Sequence, residues 1–370
     1  MCGFALARLA PICSTLTLER CAPQTTIRMQ LLNTLYVTLP DSRLRLDNDT
    51  LRVEVEQETR LRVPLHHLHA VVCFGHVGVS APLMHRLAES GIALVLLDSN
   101  GRFKARLEGA VTGNVLLRQA QHRAVDNPAF TLNVARAVVA GKLKNQRHVL
   151  LRGARETKQS ADESALTRAA QNIAASLRAL PAAQTLDTLR GLEGEAARNY
   201  FDAINLLVWP DLRETFVMDG RSRRPPRDRM NALMSFLYSM WMNDCRSACE
   251  AAGLDPQLGF LHAVRPGRAA LALDLMEEFR PLADRLALTL INRGQLTQAD
   301  FAEREGGAVL LEGDARKAVV VAHQERKQDA LTHPLLAESV PLGVVPLVQA
   351  RLLARHVRGE TDGYVPFVMR

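Results

Sequence analysis

The 370-residue chain carries 46 Lys and Arg against 39 Asp and Glu, for a net charge of +7 and a pI near 9.3. That length exceeds one small core and predicts two domains, while the lack of any apolar run of roughly eighteen residues argues against a membrane span. The basic balance favours an anionic partner, nucleic acid first, and six cysteines without disulfide or zinc spacing fit a reducing compartment.

Residues 1–28 hold scattered apolar side chains interrupted by Arg8, with no clear cleavage site. They read as an extension outside the fold, and Met29 as the expected start. From Leu31 to about Glu108 the period is two. Leu44 and Leu46 alternate with Arg43, Arg45 and Asp47, then Leu51, Val53 and Val55 alternate with Arg52, Glu54 and Glu56, which predicts a hairpin turning at Asp47–Asp49. Ala70–Phe74 and Ile92–Leu97 are further strands, separated by a helix with Ser80 as cap, Pro82 in its first turn and Gly91 past its end. A turn at Asp98–Gly101 leads into a strand at Phe103–Leu107. Residues 29–112 therefore form a β-rich domain. His66, His67, His69, Cys73 and His76 cluster there, but their spacing fits no standard zinc set, and solvated strand histidines are the better reading.

After Gly113 the period becomes helical, so residues 113–370 form a larger helical domain and the fold class is α+β. Asn114–Arg123 begins it, Pro128 restarts it, and Phe130–Leu151 continues with Lys142, Lys144, Arg147 and Arg152, a row that either tracks a phosphate backbone or forms a solvated face. Polar residues from Glu156 to Glu163 mark a loop and Pro181 another break. Gly191–Asn205 is a helix whose Gly191, Gly194, Ala196 and Ala197 predict a close neighbour, since glycine in a helix costs up to about 1 kcal/mol against alanine. Glu193 is expected to point into that contact, with a surface glutamate on an ordinary helix as the alternative. Asp219–Arg229 holds five arginines around Pro225 and Pro226, with Arg223 and Arg224 as candidates for phosphate; ion pairing with nearby acids is the alternative. Gly294–Leu311 has hairpin signals, and Ala315–Leu331 and Pro346–Arg358 are helical.

The most informative stretch is Gly259–Pro281, GFLHAVRPGRAALALDLMEEFRP. From Ala269 it reads as one buried helix, apolar nearly all round, yet it carries Asp274, Glu277 and Glu278 on one side. Buried carboxylates need an arginine, a histidine or a divalent cation. His262 is the nearest candidate, brought back by the turn at Arg265–Arg268.

With these motifs in order, the chain resembles the CRISPR adaptation integrases, the first-numbered CRISPR-associated proteins, in the form found with type I, subtype C systems. The resemblance runs from Met29 to Phe367. It rests on GHVGVSAPL from Gly75, SGIALVLLDSNGRF from Ser90, GNVLLRQAQ from Gly113, GLEGEAARNYF from Gly191, RPPRDRMNALMSFLY from Arg224, the central stretch, and QARLLARHVRGE from Gln349. EGxAAxxYF followed about seventy residues later by GFLH and DLMEEFRP is far more specific than any lone motif.

The resemblance implies a metal-dependent DNA endonuclease and integrase, in which a DNA 3′-hydroxyl attacks a phosphodiester of the repeat array and short foreign fragments enter as spacers. Carried over singly, the metal ligands and catalytic residues are Glu193, His262 and Glu277. Asp274 is either a further ligand or a group supporting one, with ion pairing to Arg268 or Arg280 as the structural alternative. Two carboxylates and an imidazole suit Mg²⁺ or Mn²⁺. Arg265 and Arg268 are placed to hold DNA phosphates, and Tyr200 either meets the DNA end or packs in the core. The implied partners are double-stranded DNA, a second copy of the chain through the β-rich domain, and a small companion adaptation protein; the implied setting is the prokaryotic cytoplasm. A DNA carrier without catalysis, or a general DNA or RNA repair nuclease on the same site, are the competing readings.

Overall fold

The structure, a computed structural model, describes residues 34–369 except 40, 69, 99–102, 108, 110–114 and 223–224. The extension read into residues 1–28, His69, the middle of the turn at 98–101, and both Arg223 and Arg224 lie outside these residues. The chain divides between residues 111 and 112 into two compact units.

The first unit is strand-rich: β1 (Thr34–Val37), β2 (Arg43–Asp47), β3 (Thr50–Val55), β4 (Glu58–Pro64), β5 (Ala70–Phe74), β6 (Gly78–Val79), helix α1 (Ala81–Glu89), β7 (Ala93–Leu97) and β8 (Phe103–Leu107). The hairpin of β2 and β3 pairs Leu44 with Val53 and Leu46 with Leu51. Asn48 takes the left-handed turn position, φ 52°, which asparagine tolerates well. Sheets run in the orders β4-β3-β2-β6 and β1-β5-β7-β8. In the second sheet β1, β5 and β7 are parallel, and every residue of β5 is buried, as befits a central parallel strand. Leu83 and Leu87 of α1 close over a core with Leu44, Leu51, Val71 and Leu94.

The second unit is helical: α2 (Val115–Val125), α3 (Pro128–Glu156), α4 (Ser160–Ala179), α5 (Leu186–Ile204), α6 (Arg229–Ala251), α7 (Ala270–Met276), α8 (Arg280–Asn292), α9 (Gly313–Gln328) and α10 (Val345–Val357), with two short hairpins, β9 (Phe301–Arg304) with β10 (Ala308–Leu311) and β11 (Ala330–Thr332) with β12 (Ser339–Pro341). α3 starts on Asn127, whose side chain accepts the Ala129 and Phe130 N–H groups, with Pro128 in the first turn. It packs against α4, α5 and α8, while α6 packs against α7, α8 and α10. The loop expected at Glu156–Glu163 is shorter: only residues 157–159 leave helical conformation, and Asp162 and Glu163 sit in the first turn of α4, where acids suit the helix N-terminus.

The helix expected from Ala269 is two helices. α7 ends at Met276, a tight turn covers Glu277–Phe279, and α8 restarts at Arg280. Pro281 explains the break, because a continuous helix would set its ring against the carbonyl of Glu277. Among the described residues no helix is long and apolar enough to cross a membrane.

Candidate metal and DNA site

Thr185 caps α5, accepting the Thr188 N–H, and further along the helix Glu193 turns towards Lys142 and is 26% exposed. Arg190, one turn earlier, donates to the Leu261 carbonyl at 2.6 Å and fastens α5 to the GFLH loop. Among the described residues the neighbour expected against Gly191 and Gly194 is absent: both are exposed, and a Cβ at either position would meet nothing within 4 Å. The helix therefore presents a bare strip of backbone beside Glu193.

Asp274 organises the loop that carries His262. Its Oδ2 accepts the N–H groups of Phe260 and Leu261 at 2.6 and 2.9 Å, and its Oδ1 accepts the His262 N–H at 2.9 Å and faces His262 Nδ1 at 2.7 Å. Neither Arg268 nor Arg280 is among these partners, so the ion pair weighed for Asp274 is not formed, and both of its oxygens are taken. An imidazole bonded through Nδ1 to a carboxylate presents Nε2 as its free donor atom, the arrangement typical of a metal-binding histidine. Nε2 faces Glu277 Oε1 at 3.9 Å, beyond hydrogen-bonding distance. Gly259 makes this possible: a Cβ there would fall 2.8 Å from Asp274 Oδ2 and 2.7 Å from the Ala270 carbonyl carbon.

Glu277 lies in the turn between α7 and α8. Its Oε1 accepts from Arg280 Nε at 2.7 Å, and its Oε2 stands 2.7 Å from Lys142 Nζ without hydrogen-bonding geometry, leaving a buried oxygen without a hydrogen-bond donor. Lys142 also donates to Glu193 Oε1. Burial alone would push the Glu277 carboxyl up, but Arg280, Lys142 and His262 outweigh it and hold it far below the usual carboxylate range. Burial likewise disfavours the Lys142 ammonium, and Glu277 and Glu193 overcome this, so its pKa is raised. Among the described residues no three acidic, histidine or cysteine side chains already form an open metal cage. The donor set still fits a divalent ion: the carboxylates of Glu193 and Glu277 converge on one cation, and His262 Nε2 faces the Glu277 carboxylate from its Oε1 side.

A family model for the CRISPR associated protein Cas1 matches residues 35–325, well over half of the chain. The chain belongs to the Cas1 family. It is 52% identical to a CRISPR-associated endonuclease Cas1 of Moorella thermoacetica, covering 92% of this chain and 99% of that one. It is also 52% identical to one from Rhodospirillum rubrum, covering 91% and 98%. Among solved structures it is similar to a chain of a Cas6-RT-Cas1–Cas2 complex, with TM-score 0.79 and 26% identity, covering 94% of this chain and 37% of that longer one. A casposase bound to its integration product shares the fold, with TM-score 0.76 and 19% identity over 91% of this chain and 93% of that one.

Other residues singled out in this Cas1-family sequence lie elsewhere. Glu278 does not join Glu277; the turn sends it the other way, where it accepts from the Tyr364 hydroxyl at 2.5 Å, the Phe367 N–H at 2.7 Å and Gln349 Nε2 at 3.1 Å. Burial pushes its carboxyl up to about 8 against those hydrogen bonds. Asn145 donates to the Glu278 and Phe367 carbonyls and accepts the Met369 N–H at 2.8 Å. Tyr200 is fully buried and donates to Asp284 at 3.0 Å, which leaves it no surface to offer DNA. Arg265 is exposed and Arg268 half-buried, both on the turn that follows His262. Lys142 departs from the predicted row of α3 cations by turning inward. On the opposite face Lys144, Arg147, His148 and Arg155 of α3 and Arg178 of α4 line a cavity of about 480 Å³. His66 and His67 form a short 3₁₀ turn with rings 4.0 Å apart, and Cys73 is buried.

Proposed function

We propose that this Cas1-family protein is the DNA endonuclease and integrase of a CRISPR adaptation module, working through Glu193, His262 and Glu277 as ligands of Mg²⁺ or Mn²⁺. The observation that carries this is the paired geometry of His262 and Glu277: an imidazole fixed through Nδ1 on Asp274, with its other nitrogen turned to a buried carboxylate that shares a cation with Glu193. A divalent ion held there supplies polarisation of a phosphoryl oxygen and offsets charge on the attacking or leaving oxygen.

The protein's own part is positioning. Asp274 keeps the proton on Nδ1 and a lone pair on Nε2. Arg280 keeps Glu277 ionised. The bare strip at Gly191 and Gly194 lets a DNA backbone approach Glu193, and Arg265 and Arg268 hold phosphates beside His262. The cationic face of α3 and α4 extends the path for duplex DNA. The full assembly adds a second copy of the chain and a Cas2-type companion, in keeping with the Cas1–Cas2 complex to which the chain is similar.

The test is strand transfer of a short duplex with free 3′-hydroxyl ends into a supercoiled plasmid carrying the repeat array, with Mn²⁺ and the companion protein. Wild type is expected to integrate, and Glu193→Ala, His262→Ala and Glu277→Ala to stay folded, bind DNA and give no product. Integration by all three variants would place the chemistry elsewhere, and an inert wild type that still binds DNA would favour the carrier reading.

A further inference from the structure

Lys142 is 6% exposed, on the inner face of α3, where an ammonium is costly unless paired. Its partners are the two carboxylates assigned to the metal, Glu193 and Glu277. Charge balance makes this pairing consequential. Lys142 and Arg280 contribute two positive charges and Glu193 and Glu277 two negative ones, while the Asp274 charge is met by three backbone N–H groups and the imidazole. Counting Asp274, carboxylates outnumber cations three to two. A divalent ion added without any other change would reverse this to an excess of one positive charge and would set the ion against an ammonium held by the same two carboxylates, in a largely buried site where their repulsion is poorly screened. One cation must then withdraw or anions must arrive. Arg280 is fixed, with its guanidinium 4.6 Å from the Tyr238 ring centre and its Nε on Glu277. Lys142 is a compact charge on a flexible four-carbon stem, joined to the site only through its tip.

We propose that Lys142 is a resident cation that stands in for the divalent ion in the unloaded protein, competes with it for Glu193 and Glu277, and on loading is released to pair with a DNA phosphate. The competition joins metal uptake to DNA arrival, because the freed ammonium and the incoming ion are both satisfied by phosphate. This rests on the assignment of Glu193, His262 and Glu277 as ligands.

The experiment is a Mn²⁺ titration of the full chain without DNA, followed by electron paramagnetic resonance, for wild type, Lys142→Met, Lys142→Gln and Glu277→Ala. Both Lys142 variants should bind Mn²⁺ roughly tenfold more tightly than wild type or better, and Glu277→Ala should lose the site. Lys142 variants that bind as wild type does, or more weakly, while Glu277→Ala loses binding, overturn the role of Lys142 and leave the ligand assignment standing. A Glu277→Ala variant that binds Mn²⁺ as wild type does removes the ligand assignment and this proposal with it. Should the Lys142 variants fail to fold, wild type alone decides: acylation of Lys142, read by mass spectrometry, should rise severalfold when Mn²⁺ replaces chelator, and an unchanged yield overturns the proposal.

Discussion

Asp274 pins both the ring and the backbone of His262, through Nδ1 at 2.7 Å and the N–H at 2.9 Å, on the same oxygen. The histidine has no freedom to turn its other nitrogen away from Glu277. Asp274→Asn keeps the shape but presents an amide group to donors that need an acceptor. We expect Mn²⁺ affinity to fall by about 10- to 100-fold, with a lowered melting temperature. Unchanged Mn²⁺ affinity would show that the imidazole is held by other means.

Gly259→Ala should act on the same residue pair from the other side. The added methyl must displace either the Asp274 carboxylate or the backbone of α7, both of which it would meet under 3 Å. A loss of about 1–3 kcal/mol in denaturant unfolding is expected, together with weaker metal binding. Wild-type stability in this variant would mean that the loop yields easily.

At Gly191 and Gly194 the opposite holds, since no atom of the described residues is near enough to object. Alanine at either position should raise stability by up to about 1 kcal/mol through helix propensity. Gly194→Leu should keep the fold but hinder strand transfer, and a Leu variant as active as wild type would show that DNA does not approach this strip closely.

Asp284 accepts hydrogen bonds from Tyr200 and Tyr238, yet burial dominates and raises its carboxyl from 3.8 to about 6. The folded protein thus holds this proton over a range where the unfolded chain has lost it, and the stability it contributes is full below about pH 4 and lost as pH rises through about 6. Asp284→Asn is free of that loss. Its melting temperature relative to wild type should climb between pH 4 and pH 7, and a constant difference would contradict the assignment.

On the outer face of α3, like charges crowd one another. Burial together with Arg285, Arg155 and Arg152 lowers the pKa of His148, and burial with Arg152 and Arg326 pushes Arg285 down to about 10. An anionic backbone would relieve this. Arg147→Glu combined with Arg155→Glu should weaken duplex binding and lower the salt slope by about one for each phosphate that is no longer neutralised. A slope identical to wild type would make this face a solvated surface only.

Local patterns made the β2–β3 hairpin legible, because alternation and the Asp47–Asp49 turn lie within one short segment. The parallel pairing of β1, β5 and β7 was not, since fully buried strands lose their alternation and their partners are distant in sequence. Glu193, His262 and Glu277 came from motif resemblance, whereas the division of labour between Glu277 and Glu278 needed the turn that Pro281 enforces. Lys142 was misplaced among surface cations although a signal existed. Ala135, Val138, Lys142, Asn145 and Val149 recur at spacings of three and four and form the buried stripe of α3, while Lys144 and Arg147 fall off it. Tyr200 could have been placed by the same reasoning, at helical spacing from the buried Ala196 and Ile204.

The segment Tyr364–Met369 is threaded beneath the turn that carries Glu277. Tyr364, Phe367 and Met369 are buried, and their groups satisfy Glu278 and Asn145. Removing this segment would therefore remove core, not a loose strand. Its loss would strand a carboxylate and an amide in the interior, directly behind the turn, so damage to residues 364–369 would reach the proposed metal site although none of them is among its ligands.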